Sequence, residues 1–191
     1  MKVFFIRHGQ SEANVGKFHS GQSDVKLTEL GKEQAKAIAP ILESITFDRV
    51  YTSDLSRAID TQQLALKDAK VDLRSPMIRE YNVGSIERLP HGTVNVLNSN
   101  GDRDYTPYGG ENHEMVISRL KEFLQKYIEN DNCKNVAIFT HYGVMNAMMN
   151  LLIGKTSHFI EFPINNCYIL VFEYLDGKWS LFSFNYGVKL D

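Results

Sequence analysis

Two histidines stand at the same place in two copies of one short pattern. Residues 3–6 and residues 136–139 are both runs of four apolar residues, and each run is followed by a polar residue, a histidine and a nearby glycine. Such runs are typical of parallel strands buried on both faces. Ligands of open α/β sheets bind beyond the carboxyl ends of the strands. The pattern therefore predicts that His8 and His141 meet at one edge of a sheet.

Two arginines accompany these histidines. Arg7 directly precedes His8, and Arg57 lies in the first turn after a predicted strand at residues 49–52. The guanidinium group suits bidentate binding of phosphate oxygens, and helix N-termini favour anions. Two arginines and two histidines at one sheet edge therefore predict an anion site suited to phosphate.

Zinc binding by His8, His141 and a carboxylate is the competing interpretation of this cluster. The guanidinium groups would repel the cation, and the sequence has neither an HExxH nor a Cys-x-x-Cys spacing. We therefore expect no metal and no cofactor. For Arg57 alone, a surface ion pair with Asp54 or Asp60 is the alternative.

Size and charge limit the class of protein. The 191 residues suit one domain with a buried core, and 43% of them are hydrophobic. The net charge of −2 does not recruit nucleic acid or an anionic membrane, so we expect neither as a partner. The apolar run at the N-terminus is too short for a signal peptide or a membrane span. Cys133 and Cys167 match no disulfide framework, and together these features predict a cytoplasmic protein.

Predicted strands and helices alternate along the chain, which favours an α/β fold, a three-layer sandwich with a mostly parallel central sheet flanked by helices. Four helices are predicted: one over 28–42 that Pro40 kinks or ends, one capped by Ser53 and running to Ala65, one capped by Asn112 and running to Ile128, and one over 144–153 ended by Gly154. Besides the two histidine-bearing strands, a strand is predicted at 49–52 and a hairpin of strands at 169–174 and 179–184.

Residues 86–110 carry no helical or strand periodicity and are rich in glycine, proline and asparagine. A segment of this length without its own structure favours a lid or substrate loop over an inert surface excursion. Five of its side chains are of types that bind polar or anionic ligands: Arg88, His91, Arg103, Tyr105 and Tyr108. We expect the whole chain, 1–191, to be one domain that carries this loop as a lid.

Five motifs in order resemble those of the histidine phosphatase superfamily, the phosphoglycerate mutase-like proteins. They are Arg7-His8-Gly9 with Asn14, Leu27-Thr28 with Gly31 and Gln34-Ala35, residues 52–58 with Thr61, Arg79-Glu80 with Gly84 and Glu87, and Gly109-Gly110-Glu111 followed by His141. The resemblance runs from Val3 to about Asn166. It departs from the family's pattern at Tyr142, where glycine is frequent, and at Asn112, where serine is usual.

The resemblance implies a role for each residue. His8 would be the nucleophile that forms a phosphohistidine, while its other ring nitrogen donates to a backbone carbonyl. Glu80 would protonate the leaving oxygen and then activate water. The ring of Tyr142 would shape the wall of the substrate pocket. Four residues would bind the phosphate oxygens in place of a metal ion: Arg7, Asn14, Arg57 and His141.

The expected function is that of a metal-independent phosphomonoesterase acting on a small phosphorylated metabolite. A phosphoglycerate mutase is the first alternative. Mutases of this family tend to be longer, with inserted segments that exclude water, and residues 79–84 depart from their acid motif. A non-catalytic phospho-ligand binding protein is the second alternative, and the presence of every chemical residue argues against it.

Overall fold

A computed structural model describes residues 1–154 and 159–185. Within these residues, six strands form a single sheet: β1 (Lys2–Arg7), β2 (Arg49–Ser53), β3 (Leu73–Ser75), β4 (Asn135–Thr140), β5 (Ile169–Leu175) and β6 (Lys178–Ser183). Their order across the sheet is β3-β2-β4-β1-β5-β6. The first four strands run parallel, and β5 pairs antiparallel with both β1 and β6. The mostly parallel central sheet is therefore confirmed.

Helices cover both faces of this sheet. They are α1 (Glu12–Gly16), α2 (Glu29–Ala37), α3 (Ala39–Glu43), α4 (Ser56–Ala65), α5 (His113–Tyr127) and α6 (Tyr142–Leu152). Successive side chains of β1 point to opposite faces. Val3 and Phe5 join one core with α5 and α6, whereas Phe4 and Ile6 join another with α2, α3 and α4. The three-layer arrangement is confirmed, and among the described residues no helix has the length and apolar content to span a membrane.

The predicted helix over 28–42 is in fact two helices. Thr28 caps α2, because its side chain accepts a hydrogen bond from the backbone N–H of Gly31 at 3.0 Å. Pro40 stands in the first turn of α3, where a missing N–H costs nothing. Its ring is incompatible with the interior of a continuous helix. Leu30, in the first turn of α2, is 46% exposed.

The predicted capping role of Ser53 is wrong. Ser53 is the last residue of β2, and α4 begins only at Ser56 with Leu55 as its N-cap residue. A short turn separates the strand from the helix. Arg79 holds this turn through two hydrogen bonds of 2.6 Å to the carboxylate of Asp54. The side chain of Ser53 instead contacts His141, the residue that follows β4.

The other predicted elements need only small corrections. Asn112 caps α5 by accepting a hydrogen bond from the N–H of Met115 at 3.0 Å. α6 begins at Tyr142 instead of residue 144, so its first turn directly follows His141. The chain leaves α6 through Gly154, which has a φ of +65° and ends the helix as predicted. The C-terminal hairpin is formed by β5 and β6.

Residues 86–110 have little regular structure, as predicted. Single 3₁₀ turns lie at Gly84–Ile86 and Thr106–Tyr108. Isolated β-bridges join Phe18 to Pro90 and Leu97 to Arg103. The segment is therefore attached to the loop after α1, and its role as a lid stays a prediction.

Candidate active site

β1 and β4 are neighbours in the sheet and carry the two histidines at their carboxyl ends. Arg7 pairs with Thr140 across the parallel ladder, so the residues that follow, His8 and His141, lie side by side. Their ring centroids are 5.3 Å apart, and both residues are buried. The predicted meeting of the two histidines at one sheet edge is confirmed.

The backbone fixes which nitrogen of His8 carries the ring proton. His8 Nδ1 lies 2.7 Å from the carbonyl oxygen of Gly9. A carbonyl only accepts hydrogen bonds, so Nδ1 carries the proton and Nε2 keeps its lone pair. Burial, and then the charges of Arg57 and Arg7, hold the pKa of His8 well below its usual value of 6.5. The ring is therefore neutral at pH 7.

Two glycines allow the loop after His8 to pack closely against α2. A Cβ atom on Gly9 would lie 2.3 Å from the carbonyl oxygen of Gly31, and one on Gly31 would lie 2.0 Å from that of Gln10. Because backbone atoms block both positions, neither glycine can gain a side chain without moving the loop. The N–H of Gly9 also donates to Thr61 on α4 at 3.0 Å. These contacts fix the position of His8 relative to both helices.

His141 is oriented by Ser53, for which only a helix-capping role was predicted. His141 Nε2 lies 2.8 Å from Ser53 Oγ, which in turn accepts from the N–H of Leu55 at 3.3 Å. The hydroxyl proton is then available to His141 Nε2, which favours the tautomer with the ring proton on Nδ1. Nδ1 is buried and has no hydrogen-bond partner among residues 1–154 and 159–185. It is therefore available as a donor to a ligand.

Arg57 is a buried member of the site, so the surface ion pair considered for it is ruled out. The residue is 1% exposed, and its guanidinium group donates to the carbonyl oxygens of Gly21 at 2.8 Å and Ser23 at 3.1 Å. Asp54 is instead paired with Arg79. Burial lowers the pKa of Arg57 to about 10, which still leaves it charged at neutral pH.

Arg7 brings a second guanidinium group to the same edge. It donates to the carbonyl oxygen of Ile164 and lies over the ring of Tyr142, 5.1 Å from the ring centroid. The Nε atoms of Arg7 and Arg57 are both buried and find no hydrogen-bond partner within the described part of the chain. Two charged donors beside His8 are therefore available to an anion.

Asn14 lies at the rim of the same cavity. Its Oδ1 accepts hydrogen bonds from the N–H of Ser11 at 2.9 Å and from Asn166 at 3.2 Å. With the oxygen engaged, the amide N–H groups are what Asn14 offers to a ligand. The residue is exposed and lines the cavity together with Arg7, so its predicted contact with phosphate stays a prediction.

Glu80 faces the arginines from a different part of the chain. Its carboxylate accepts from the N–H of Tyr81 at 3.0 Å and from the N–H of Gly143 at 3.1 and 3.2 Å. A Cβ atom on Gly143 would lie 2.2 Å from Glu80 Oε1. Glycine at 143 therefore lets the first turn of α6 approach the carboxylate closely enough to hold it.

A second acid and a third arginine support the backbone around Glu80. Arg119 on α5 forms an ion pair of 2.9 Å with Glu111 and donates to the carbonyl oxygens of Glu80 at 3.1 Å and Met77 at 2.8 Å. Glu111 also accepts from the N–H of Asn82 at 2.8 Å. These bonds clamp the segment that carries Glu80 from both sides. No sequence motif pointed to Arg119.

Arg7, Asn14 and Glu80 line one cavity of about 240 Å³. His8, Arg57 and His141 are buried and do not themselves line it. Its inner end is lined by Arg7 and Glu80, and its outer end by side chains from the loop after α1 and from residues 86–110: Phe18, His19, His91, Arg103 and Tyr105. Tyr142 forms part of the wall, and as the first residue of α6 it has helical backbone angles without strain. Of the five side chains noted in the predicted lid, Arg88 and Tyr108 are not among those that line this cavity.

Across residues 1–154 and 159–185, no group of three or more His, Cys, Asp and Glu side chains is arranged to hold a metal ion. The donors that surround His8 are guanidinium and imidazole N–H groups, which suit an anion.

The profile of the histidine phosphatase superfamily (branch 1) matches residues 3–187. The chain belongs to this superfamily, and it is a phosphatase.

Relatives with different activities align along most of the chain. The adenosylcobalamin/alpha-ribazole phosphatase of Escherichia coli is 28% identical over 81% of this chain and 80% of its own length. The probable phosphoglycerate mutase GpmB of Photorhabdus laumondii is 26% identical over 94% of this chain and 87% of its own length. The structure of Bacillus stearothermophilus YhfR superposes with a TM-score of 0.85 at 22% identity, covering 95% of both chains, and so shares the fold.

Proposed function

We propose that this phosphatase hydrolyses a small phosphomonoester through a phosphohistidine on His8, without a metal ion. One observation carries the proposal. Three buried N–H groups lack a partner among the described residues, namely Nε of Arg7, Nε of Arg57 and Nδ1 of His141. They belong to the residues whose charge or ring lies beside His8. A buried donor without a partner is costly, and a phosphoryl group would satisfy all three.

The geometry supports a two-step displacement. His8 Nε2 attacks phosphorus, the bond to the alcohol oxygen breaks, and Glu80 gives that oxygen a proton. Water then attacks the phosphohistidine, gives its proton to the Glu80 carboxylate, and the P–N bond breaks to release phosphate. The two arginines and His141 stabilise the charge on the equatorial oxygens in both steps. Asn14 is proposed to add a hydrogen bond from the rim, and Tyr142 to hold the guanidinium group of Arg7.

The test is to trap the intermediate in the presence of EDTA. The protein is mixed with substrate labelled in its phosphoryl group, quenched without acid, and digested to locate the label. We expect label on His8, turnover of p-nitrophenyl phosphate that EDTA does not change, and inhibition by vanadate. Activity that is lost on chelation and restored by zinc or magnesium would contradict the proposal.

The His8→Ala variant completes the test. We expect it to lose both label and turnover. If it kept a tenth of the wild-type kcat, the lost transition-state stabilisation would be only about 1.4 kcal/mol, and His8 would not be the nucleophile.

Product analysis separates hydrolysis from mutase activity, the alternative suggested by the similarity to GpmB. A phosphatase releases inorganic phosphate in step with the free alcohol. A mutase returns the phosphoryl group to another hydroxyl of the substrate. We expect the first result.

A further inference from the structure

Two polar side chains at the outer end of the cavity have no role in the proposed chemistry. His19 is 7% exposed and Tyr81 is 4% exposed, and both line the cavity. His19 Nε2 and the hydroxyl of Tyr81 are buried, and neither has a hydrogen-bond partner among residues 1–154 and 159–185. Buried polar atoms in folded proteins nearly always have partners. Two exceptions on one cavity wall indicate a ligand that supplies them.

Tyr105 joins these two side chains into one surface. Its ring centroid lies 6.0 Å from that of His19 and 5.7 Å from that of Tyr81. His91 packs on the other side of His19 with a centroid distance of 4.6 Å. We call these four residues, His19, Tyr81, His91 and Tyr105, the outer subsite.

The outer subsite carries little net charge. Arg103 faces it, but its guanidinium group is paired with Glu161, which also accepts a hydrogen bond from the hydroxyl of Tyr142. Burial lowers the pKa of His19, and His91 and Arg103 lower it further.

His91 and Tyr81 are also shifted toward their neutral forms. Burial, followed by Arg103, lowers the pKa of His91. Burial and then Glu80 raise the pKa of Tyr81, with Arg103 and Arg119 opposing. Both imidazoles and the phenol are therefore neutral at pH 7.

We propose that His19 and Tyr81 bind hydroxyl groups on the alcohol part of the substrate, so that the enzyme prefers monophosphates of compact, uncharged polyols or sugars. A hydroxyl group both donates and accepts, so it satisfies the phenol of Tyr81 and either tautomer of His19. A second phosphate or carboxylate on the substrate would need a positively charged partner, and Arg103 is already paired with Glu161. The inference rests on the proposed function, because it assumes that the phosphoryl group occupies the inner end.

Three substrates with a three-carbon skeleton test this preference. Glycerol 3-phosphate carries two hydroxyls, propyl phosphate carries none, and 3-phosphoglycerate has a carboxylate in place of one of them. At pH 7.5 we expect kcat/KM for glycerol 3-phosphate to exceed those for propyl phosphate and 3-phosphoglycerate by about 10-fold or more, as one or two net hydrogen bonds would give. Equal values for glycerol 3-phosphate and propyl phosphate, or a preference for 3-phosphoglycerate, would overturn the proposal.

Variants tie the preference to the two residues. Tyr81→Phe and His19→Leu should each lower kcat/KM for glycerol 3-phosphate about 10-fold more than for propyl phosphate, mainly through KM. His19→Gln, which keeps a polar group at that position, should restore part of the difference. Tyr108→Phe is the matched control, since the hydroxyl of Tyr108 donates to the carbonyl oxygen of Asn95 outside the cavity. A variant that slows both substrates equally would show that its side chain only supports the fold.

A binding measurement separates this inference from the proposed function. Calorimetric titration of the His8→Ala variant, alone and combined with Tyr81→Phe, gives the Kd of both alcohol phosphates without any turnover. We expect the single variant to bind glycerol 3-phosphate about 10-fold more tightly than propyl phosphate, and the double variant to lose this difference. If the difference is present but no phosphohistidine forms in the wild type, the outer subsite stands and the proposed mechanism fails. If phosphohistidine forms but the difference is absent, the reverse holds.

Discussion

The inner end of the cavity is cationic and is built where strands and a helix meet, whereas the outer end is neutral and is built from loops. Arg7 is the last residue of β1, His8 and His141 directly follow β1 and β4, and Arg57 lies in the first turn of α4. His19, Tyr81, His91 and Tyr105 lie outside every helix and strand. Loops tolerate sequence change better than a buried sheet does. Under the proposed function, residues at the sheet edge bind the phosphoryl group that all substrates share, and the loops bind the alcohol.

A change at the inner end should affect every substrate alike. Arg57→Lys replaces a buried fork of donors by a single ammonium group, and we expect kcat/KM to fall by about 10²-fold, as for loss of an oxyanion donor. The fall should be the same for p-nitrophenyl phosphate and glycerol 3-phosphate. Arg49→Lys, at the exposed start of β2, is the control and should have no effect. A loss that depends on the alcohol would break the division between the two ends.

Glu80 lies at the inner end of the cavity, and in the phosphorylation step we expect it to act on the leaving group. An alkyl phosphate needs its departing oxygen protonated, whereas p-nitrophenolate leaves without help. In single-turnover phosphorylation of His8, Glu80→Gln should therefore slow an alkyl phosphate about 10²-fold more than p-nitrophenyl phosphate. Steady-state rates would not separate these effects, because Glu80 is also proposed to activate water in hydrolysis of the phosphohistidine. Equal slowing of the two phosphorylation rates would exclude Glu80 as the acid.

A change at Arg119 should have the same kind of effect as Glu80→Gln, but a smaller one. Arg119 holds the backbone of Glu80 and does not face the substrate. We expect Arg119→Met to slow alkyl phosphate phosphorylation about 10-fold more than that of p-nitrophenyl phosphate. Arg119→Lys should recover part of this ratio, since an ammonium group still reaches one carbonyl or Glu111. A general loss of stability would lower both rates together, so an unchanged ratio would show that Arg119 supports only the fold.

The smallest expected effect is on stability. His8 and His141 both have a pKa held well below 6.5, first by burial and then by Arg57. Below pH 6.5 the unfolded chain therefore binds protons that the folded chain does not, so acidification lowers the free energy of unfolding. His8→Gln removes one of the groups that take up a proton on unfolding. The variant should therefore reduce the change of the free energy of unfolding with pH by at most about 1.4 kcal/mol per pH unit. Urea unfolding at pH 7.5, 6.5 and 5.5 measures it, and an identical slope in the two proteins would contradict the lowered pKa.

The sequence predicts the inner end of the cavity better than the outer end for a physical reason. Buried parallel strands are continuous apolar runs, so residues 3–6 and 136–139 locate β1 and β4, and His8 and His141 follow at once. The amphipathic repeat of α5 and its Asn112 cap are equally local signals. Each of these patterns lies within a few consecutive residues.

Contacts between distant residues leave no such signal. Ser53 orients His141 from 88 residues away, and Arg119 reaches the carbonyl of Glu80 from 39 residues away. β3 has only three residues, too few for a recognisable pattern. The outer subsite is assembled from two separate loops by ring contacts. Its four members became a group only when the tertiary structure brought them together.

The register between β1 and β4 sets the distance between His8 and His141. Arg7 lies opposite Thr140, and this single alignment sets the separation of the two histidine rings. Inserting one residue into either strand would shift one histidine by about 3.3 Å and turn its side chain to the other face of the sheet. Insertions in residues 86–110 would leave this register unchanged. Engineering of a new substrate range can therefore lengthen or replace that segment, whereas both strands must keep their length.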